Sequence, residues 1–328
     1  MPKKQFYSPL TNGVTQGILD RFMGCRKSCK IFLEGWSTKG VKHGLTFGTI
    51  SHGCLELAYK DIISGKLKGI PSSQNIAEYV TTITEQWHRE NPRVDKYGLE
   101  VLEYCAILAE AVLPNYFKFW EEDLEKLNWI NLEDQFNIPY TLKSGKYAGV
   151  TIPISGKKDG QFTYSSSEKI WLFETKNLSR IEEGTLAETL PLNLQVNLYL
   201  WALRQEYKKL PAGILYNIIR RPGLRQKVSE SLQQFAVRCA EDISKRPEFY
   251  FIRLEIKMLM SDMDSWEKEF NNLLSDFYAW WKGDLGTYGH SSECNGKYGR
   301  CEYLPICAEE DYSSVGKRKV VYRELNDM

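Results

Sequence analysis

The run Trp171-Leu-Phe-Glu174-Thr-Lys176 constrains this chain more than any other stretch. An apolar segment that ends abruptly in Glu-Thr-Lys predicts a buried strand whose tip emerges into a polar site. Side chains alternate along a strand, so Glu174 and Lys176 share one face and Thr175 takes the other. Upstream, Ile154-Ser-Gly-Lys-Lys-Asp159-Gly-Gln-Phe-Thr-Tyr164 predicts a second strand carrying a lone acid. Ser165-Ser-Ser-Glu-Lys169 is a turn-rich connection, so the two strands pair as an antiparallel hairpin. That pairing brings Asp159, Glu174 and Lys176 together. Two carboxylates and an amine are what metal-assisted phosphodiester hydrolysis needs. The acids hold a hard divalent cation through oxygen, the cation activates a water, and the ammonium orients that water or neutralises the phosphate.

Pro191-Leu-Asn-Leu-Gln195-Val-Asn-Leu-Tyr199-Leu-Trp-Ala-Leu203 has helical apolar spacing, with Gln195 and Tyr199 one turn apart on one face. Ile214-Leu-Tyr-Asn-Ile-Ile219 predicts a further strand, ended by Arg220-Arg221-Pro222. Hairpin, helix and returning strand make a βαβ unit, whose crossover should be right-handed. Asp, then Glu-x-Lys, then Gln-x-x-x-Tyr on the next helix resembles the PD-(D/E)XK nuclease superfamily in its RecB-like branch. The resemblance implies an α/β fold with a restriction-endonuclease-like core: a mixed central sheet of three antiparallel strands, a crossover helix and a further strand. It implies that Asp159 and Glu174 bind Mg2+ or Mn2+, with the backbone carbonyl of Thr175 as a further ligand, and that Lys176 positions or activates the water. Gln195 would steady the site or touch DNA, and Tyr199 would touch DNA or pack. Arg220, Arg221 and Arg225 cluster beside the strand end as candidate phosphate contacts; an ordinary solvated loop is the alternative.

Two N-terminal stretches extend the resemblance. Phe22-Met-Gly-Cys25-Arg-Lys-Ser-Cys29 precedes Leu45-Thr-Phe-Gly48-Thr-Ile-Ser-His52-Gly-Cys-Leu-Glu-Leu57, which reads as a loop entering a helix. They are similar to the N-terminal signature of RecB-like nucleases, a cysteine followed by basic residues and then a Gly-x-x-x-His helix start. A lone helical histidine is ordinarily a packed side chain; the resemblance places His52 beside the metal instead. Cys54 and Cys105 lie among apolar neighbours and read as core thiols. Residues 73–129 predict helices that cap the core, broken at Asn91-Pro92, with Pro114 starting, kinking or ending one of them. Leu132-Glu133-Asp134 begins the sheet, and Glu133 is either a first-strand acid of the site or a solvent-facing glutamate. Ser144-Gly145-Lys146 is the turn into the second strand. Residues 261–281 form an amphipathic helix whose aromatic stripe is core.

Cys294, Cys301 and Cys307 occupy a Gly- and Pro-containing loop that core packing does not explain. Three thiolates leave a tetrahedral metal or a cluster one ligand short. In iron–sulfur members of the RecB-like nucleases one N-terminal cysteine supplies the fourth, and the resemblance assigns that place to Cys25, with Cys29 as the alternative. Four thiolates suit a [4Fe–4S] cluster or a structural zinc. Cys294 to Cys301 is longer than the common Cys-x2-Cys, which keeps zinc open. Either group would staple the termini around the core.

The net charge of +1 makes any nucleic-acid surface local rather than global. Eight cysteines without an apolar leader in Met1-Pro-Lys-Lys-Gln-Phe-Tyr argue for metal or buried thiols rather than disulfides, in a cytoplasmic protein with no membrane association. The expected organisation is an N-terminal segment with cluster cysteine, His helix and cap over 1–130, a nuclease core over 131–260, and a C-terminal helix and cysteine loop over 261–328. The expected function is a metal-dependent DNA exonuclease of recombination, repair or phage DNA processing, acting on single strands or free ends. A structure- or site-specific endonuclease and a non-cleaving DNA-binding module are the alternatives. No Gly-x4-Gly-Lys-[Ser/Thr] loop occurs, so a helicase or recombinase partner would be a separate protein.

Overall fold

Three antiparallel strands, a crossover helix and a fourth strand parallel to the third form the centre of the structure, a computed structural model describing residues 6–38, 41–92, 94–296 and 299–322. Residues 1–5, read above for a leader, lie outside the described residues. Among the described residues five longer helices come first: α1 (Gln16–Gly24), α2 (Arg26–Leu33), α3 (His43–Ile63), α4 (Ser73–Glu90) and α5 (Lys96–Phe119). Then follow β1 (Leu127–Thr141), β2 (Thr151–Tyr164), β3 (Ile170–Leu178), α6 (Leu194–Tyr207) and β4 (Gly213–Arg220). Helix α7 (Leu232–Lys245), β5 (Phe251–Lys257) and α8 (Met260–Lys282) complete the main elements. The sheet order is β1-β2-β3-β4-β5, with β3 and β4 parallel and every other pair antiparallel.

Local sequence explains the boundaries. Ser72 and Asn75 make a reciprocal capping box at the start of α4, Asp95 accepts from the Gly98 N–H ahead of α5, and Asn193 accepts from the Val196 N–H ahead of α6. Each satisfies a backbone donor that the first helical turn leaves open. Two readings change. Helix α3 already begins at His43, so the stretch before His52 is helix and not loop; Gly53, just after His52, serves packing, since a Cβ there would meet Ile83 at 2.5 Å. Pro114 lies inside α5 and neither starts nor ends it. An interior proline costs about 3 kcal/mol, which burial of Leu113, Tyr116 and Phe117 around it offsets.

The sheet separates two apolar clusters. One packs α1, α6 and α8 against Leu172, Ile214, Tyr216 and Ile218. The other joins α3, α4, α5 and α7 to Ile219 and Phe251 and forms a helical cap over the opposite face. Sheet formation starts at Leu127, ahead of the expected Leu132. Short strands Trp36–Thr38 and Val315–Lys317 pair and bring residues near the two ends of the chain together. Among the described residues no helix is long and apolar enough to cross a membrane.

Candidate active site

The site forms where strand alternation slips. Residues two apart on a regular strand share a face. On β2, Lys158 points toward α6 and bonds both Glu206 oxygens at 2.6 and 2.7 Å. Gly160 faces the cap, where an added Cβ would meet Trp129 at 2.8 Å. On β1, Leu132 packs with the cap cluster while Asp134 sits 3.0 Å from Lys158. Both strands therefore change phase between these residues, at Glu133 and Asp159. Leu132 pairs with Gly160 and Asp134 with Lys158, so the two acids lie across from each other. Glu133 has φ 50°, a left-handed conformation unusual for a glutamate. The slip aims both carboxylates at one point on the sheet edge.

Around that point stand side chains from four elements. His52 of α3 places Nδ1 3.4 Å from Asp159 Oδ2. The Thr175 N–H on β3 donates to the same Oδ2 at 2.7 Å. Lys157 Nζ lies 2.6 Å from Glu133 Oε2. Lys176 Nζ donates to Glu174 Oε1 at 2.6 Å, while Glu174 Oε2 is buried without a hydrogen-bond partner. One ligand atom each from His52, Glu133 and Asp159 lie within 4.8 Å of one another. A small pocket lined by these three and by Leu55, Glu56, Tyr59, Leu132, Phe173 and Thr175 opens between α3 and the sheet.

The charges are mutually dependent. Burial, then the neighbouring Asp159 charge, pushes Glu174 up to about 7 against the pull of Lys176. Burial and Asp159 likewise push Glu133 up to about 7, with Lys157 and His52 opposing. Burial alone would raise Asp159, yet His52, Lys176 and the Thr175 N–H hold it below the ordinary carboxylate value. Burial opposes charge on His52, but Asp159 outweighs it and raises His52 to about 9. A cluster of three carboxylates that resists full ionisation, with one buried oxygen unpartnered, is a donor set suited to a hard cation.

Asp159, Thr175 and His52 thus meet at the pocket, and the Glu174–Lys176 pair stands close enough for its charges to act on Asp159. Gln195 lies beside Tyr199, whose ring is buried against Phe136 at 5.6 Å and feels the Glu174 charge. Tyr199 lines the inner wall rather than an exposed DNA surface. Arg220 stacks 4.0 Å over Phe249 and donates Nε to the Phe249 carbonyl; Arg225 is exposed, and Arg221 lies beside Gly44 at the start of α3. One contributor, Glu133, is ambiguous in the sequence, and a second, Lys157, carries no signal there. By sequence Glu133 fits a solvent-facing place on the first strand equally well, and Lys157 stands in an ordinary Lys-Lys-Asp run with nothing to mark it as the partner of Glu133.

The cysteines form a second constellation. Burial raises the Cys307 thiol, Lys27 lowers it, and Cys301, Cys25 and Cys294 each raise it further, so the four sulfurs share one neighbourhood. Cys29 is fully buried and donates to the Ile18 carbonyl. Cys54 and Cys105 are buried thiols pushed up to about 12 and about 11 by desolvation.

The strand order, with an acid on the second strand and Glu-x-Lys on the third, is that of a restriction-endonuclease-like core. The chain matches the PD-(D/E)XK nuclease superfamily over residues 24–308 and belongs to that superfamily. No curated protein matches it at a significant level. Members of the superfamily are nucleases that use Mg2+ or Mn2+.

Proposed function

We propose that the chain is a metal-dependent DNA exonuclease of the RecB-like branch. The observation that carries this reading is the convergence of His52, Glu133 and Asp159 beside the Glu174–Lys176 pair, where Glu174 Oε2 points to no protein partner. Asp159, Glu174, His52 and Glu133, with the Thr175 carbonyl, would hold Mg2+ or Mn2+. When bound, the cation supplies an activated water and neutralises charge on the phosphate. The residues do the rest. Lys176 fixes Glu174 by one oxygen and presents its ammonium to the attacking water or the phosphate. The Thr175 N–H fixes one oxygen of Asp159 and leaves the other for ligation. Gln195 would steady the site from beside Tyr199. A buried Glu174 with part-buried Asp159 and Lys176 beside it has no physical reason to persist in a module that only binds DNA.

The helical cap borders the pocket through His52, Leu55 and Tyr59, which supports entry by a strand with a free end. Arg221 and Arg225 are the basic side chains on that edge best suited to phosphate. We assign Cys25, Cys294, Cys301 and Cys307 to a [4Fe–4S] cluster. Four thiolates that share one neighbourhood suit such a cluster, with a structural zinc as the alternative. A role in recombination, repair or phage DNA processing, beside a separate helicase or recombinase, fits such an enzyme.

End-labelled linear DNA and closed circular duplex, each with Mg2+ or Mn2+, test the reading. Degradation of linear DNA alone, with single strands preferred, is expected. Rapid cleavage of closed circles at defined sites would assign an endonuclease instead.

A further inference from the structure

The pocket side of the sheet carries a polar row that the proposed chemistry does not use. Thr175 on β3 pairs with Asn217 on β4, and Asn217 pairs with Arg253 on β5. All three side chains are hydrogen-bonded along this row. Arg253 Nε donates to Asn217 Oδ1 at 3.0 Å, and Asn217 Nδ2 donates to Thr175 Oγ1 at 3.2 Å. The Thr175 N–H then donates to Asp159 Oδ2 at 2.7 Å. At the far end, the Arg253 guanidinium grips both oxygens of Asp123 at 2.6 Å, donates to the Tyr116 hydroxyl at 3.2 Å and lies 3.9 Å over the Trp120 ring.

We infer that Asn217 and Arg253 are positioning residues, which hold Thr175, and through its backbone the Asp159 carboxylate, in place relative to the helical cap. The inference rests on the nuclease reading of the Asp159 site. Its logic is directional. Arginine has donors and no acceptor, so Arg253 compels the buried Asn217 amide to turn Oδ1 toward it and Nδ2 toward Thr175. Thr175 is thereby pinned on its side chain, and its N–H occupies one Asp159 oxygen, so that the other would be left to hold a cation. Asp123 and Tyr116 anchor the outer end in the cap, and Tyr59, which lines the pocket, reaches Tyr116 at 3.2 Å. A buried Arg–Asp pair that served stability alone could be replaced by packed apolar side chains. This one continues, strand by strand, to the backbone donor that touches Asp159.

Thr175→Val keeps shape and removes the hydroxyl; Thr175→Ser restores it. Asn217→Asp keeps volume and a partner for Arg253 while removing the donor. Calorimetric Mn2+ binding to the metal-free protein, kcat and KM on DNA, and thermal midpoints are compared across these variants. Outer-shell partners of metal ligands are worth about 10- to 100-fold in affinity or activity. Thr175→Val and Asn217→Asp should therefore weaken Mn2+ binding and lower kcat by about tenfold or more with KM little changed, and Thr175→Ser should recover both. Variants that melt earlier yet keep wild-type Mn2+ affinity and kcat would reduce the row to structure and overturn the inference. If the wild type binds Mn2+ but cleaves no DNA, the nuclease reading fails alone, and the Mn2+ affinities still decide the row.

Discussion

Lys176 Nζ holds Glu174 by Oε1 at 2.6 Å and leaves Oε2 buried and unpartnered. An unmet buried acceptor costs about 1–3 kcal/mol, and more when it is charged, so a site that keeps one has a use for it. Lys176→Ala removes the ammonium and keeps the carboxylates. Cleavage should fall by at least about 100-fold. Because Glu174 loses its counter-charge, Mn2+ affinity should drop near neutrality and recover toward wild type at high pH, as calorimetry at several pH values would show. Unchanged cleavage in a folded Lys176→Ala protein would demote the Glu-Thr-Lys strand to ordinary structure.

The cluster also sets a pH signature for the metal-free protein. Glu133 and Glu174 titrate near 7 when folded and near 4.5 otherwise, so the folded state keeps protons that the unfolded chain has released. Their effect favours folding at low pH and is lost as pH rises toward 7. His52, raised from 6.5 to about 9, acts in the same sense: its contribution is full below 6.5 and gone above about 9. Asp159, held low, acts oppositely but only below its ordinary value of 3.8. Thermal midpoints of metal-free protein should therefore decline from pH 5 to pH 9. Mn2+ should raise the midpoint more at pH 8 than at pH 5.5, with protons released on binding. Equal Mn2+ stabilisation at both pH values would contradict these assignments.

Glu133 tests the geometry where the sequence was least informative. Glu133→Gln retains shape and the partner for Lys157 but removes a ligand charge. Mn2+ affinity should fall by on the order of tenfold, whereas a solvent-facing glutamate would leave it unchanged.

The sulfur constellation makes a separable prediction. Anaerobically purified protein should be brown and contain iron and inorganic sulfide; Cys25→Ser should bleach it, while Cys29→Ser, altering a core thiol, should keep the colour. Colourless protein with stoichiometric zinc would retain the staple and exclude the cluster.

Much of this arrangement was legible because strands and helices carry their periods in the sequence. Alternation along Trp171–Lys176 put Glu174 and Lys176 on one face, and a turn-rich link brought Asp159 to them. What escaped was whatever broke period. The left-handed φ of Glu133 shifts β1 by one face, and the matching slip at Asp159 puts Lys158 and Gly160, two residues apart, on opposite faces. Gly53 beside His52 weakens the helical signal locally because its packing partner, Ile83, lies on another helix. The row Thr175–Asn217–Arg253 joins residues far apart in sequence, and only strand register makes them neighbours.

The central claim is that Asp159 anchors a cation-dependent site for phosphodiester cleavage. Asp159→Asn removes the ligand charge while nearly preserving volume, and phosphate contacts elsewhere should sustain DNA binding. The direct measurement is degradation of end-labelled linear DNA in Mn2+ by wild type and by Asp159→Asn, with DNA affinity measured alongside. The account predicts cation-dependent degradation by the wild type, its abolition in Asp159→Asn, and similar DNA affinity in both. Cleavage by Asp159→Asn at the wild-type rate, or no cleavage by the wild type with either Mg2+ or Mn2+, would contradict it.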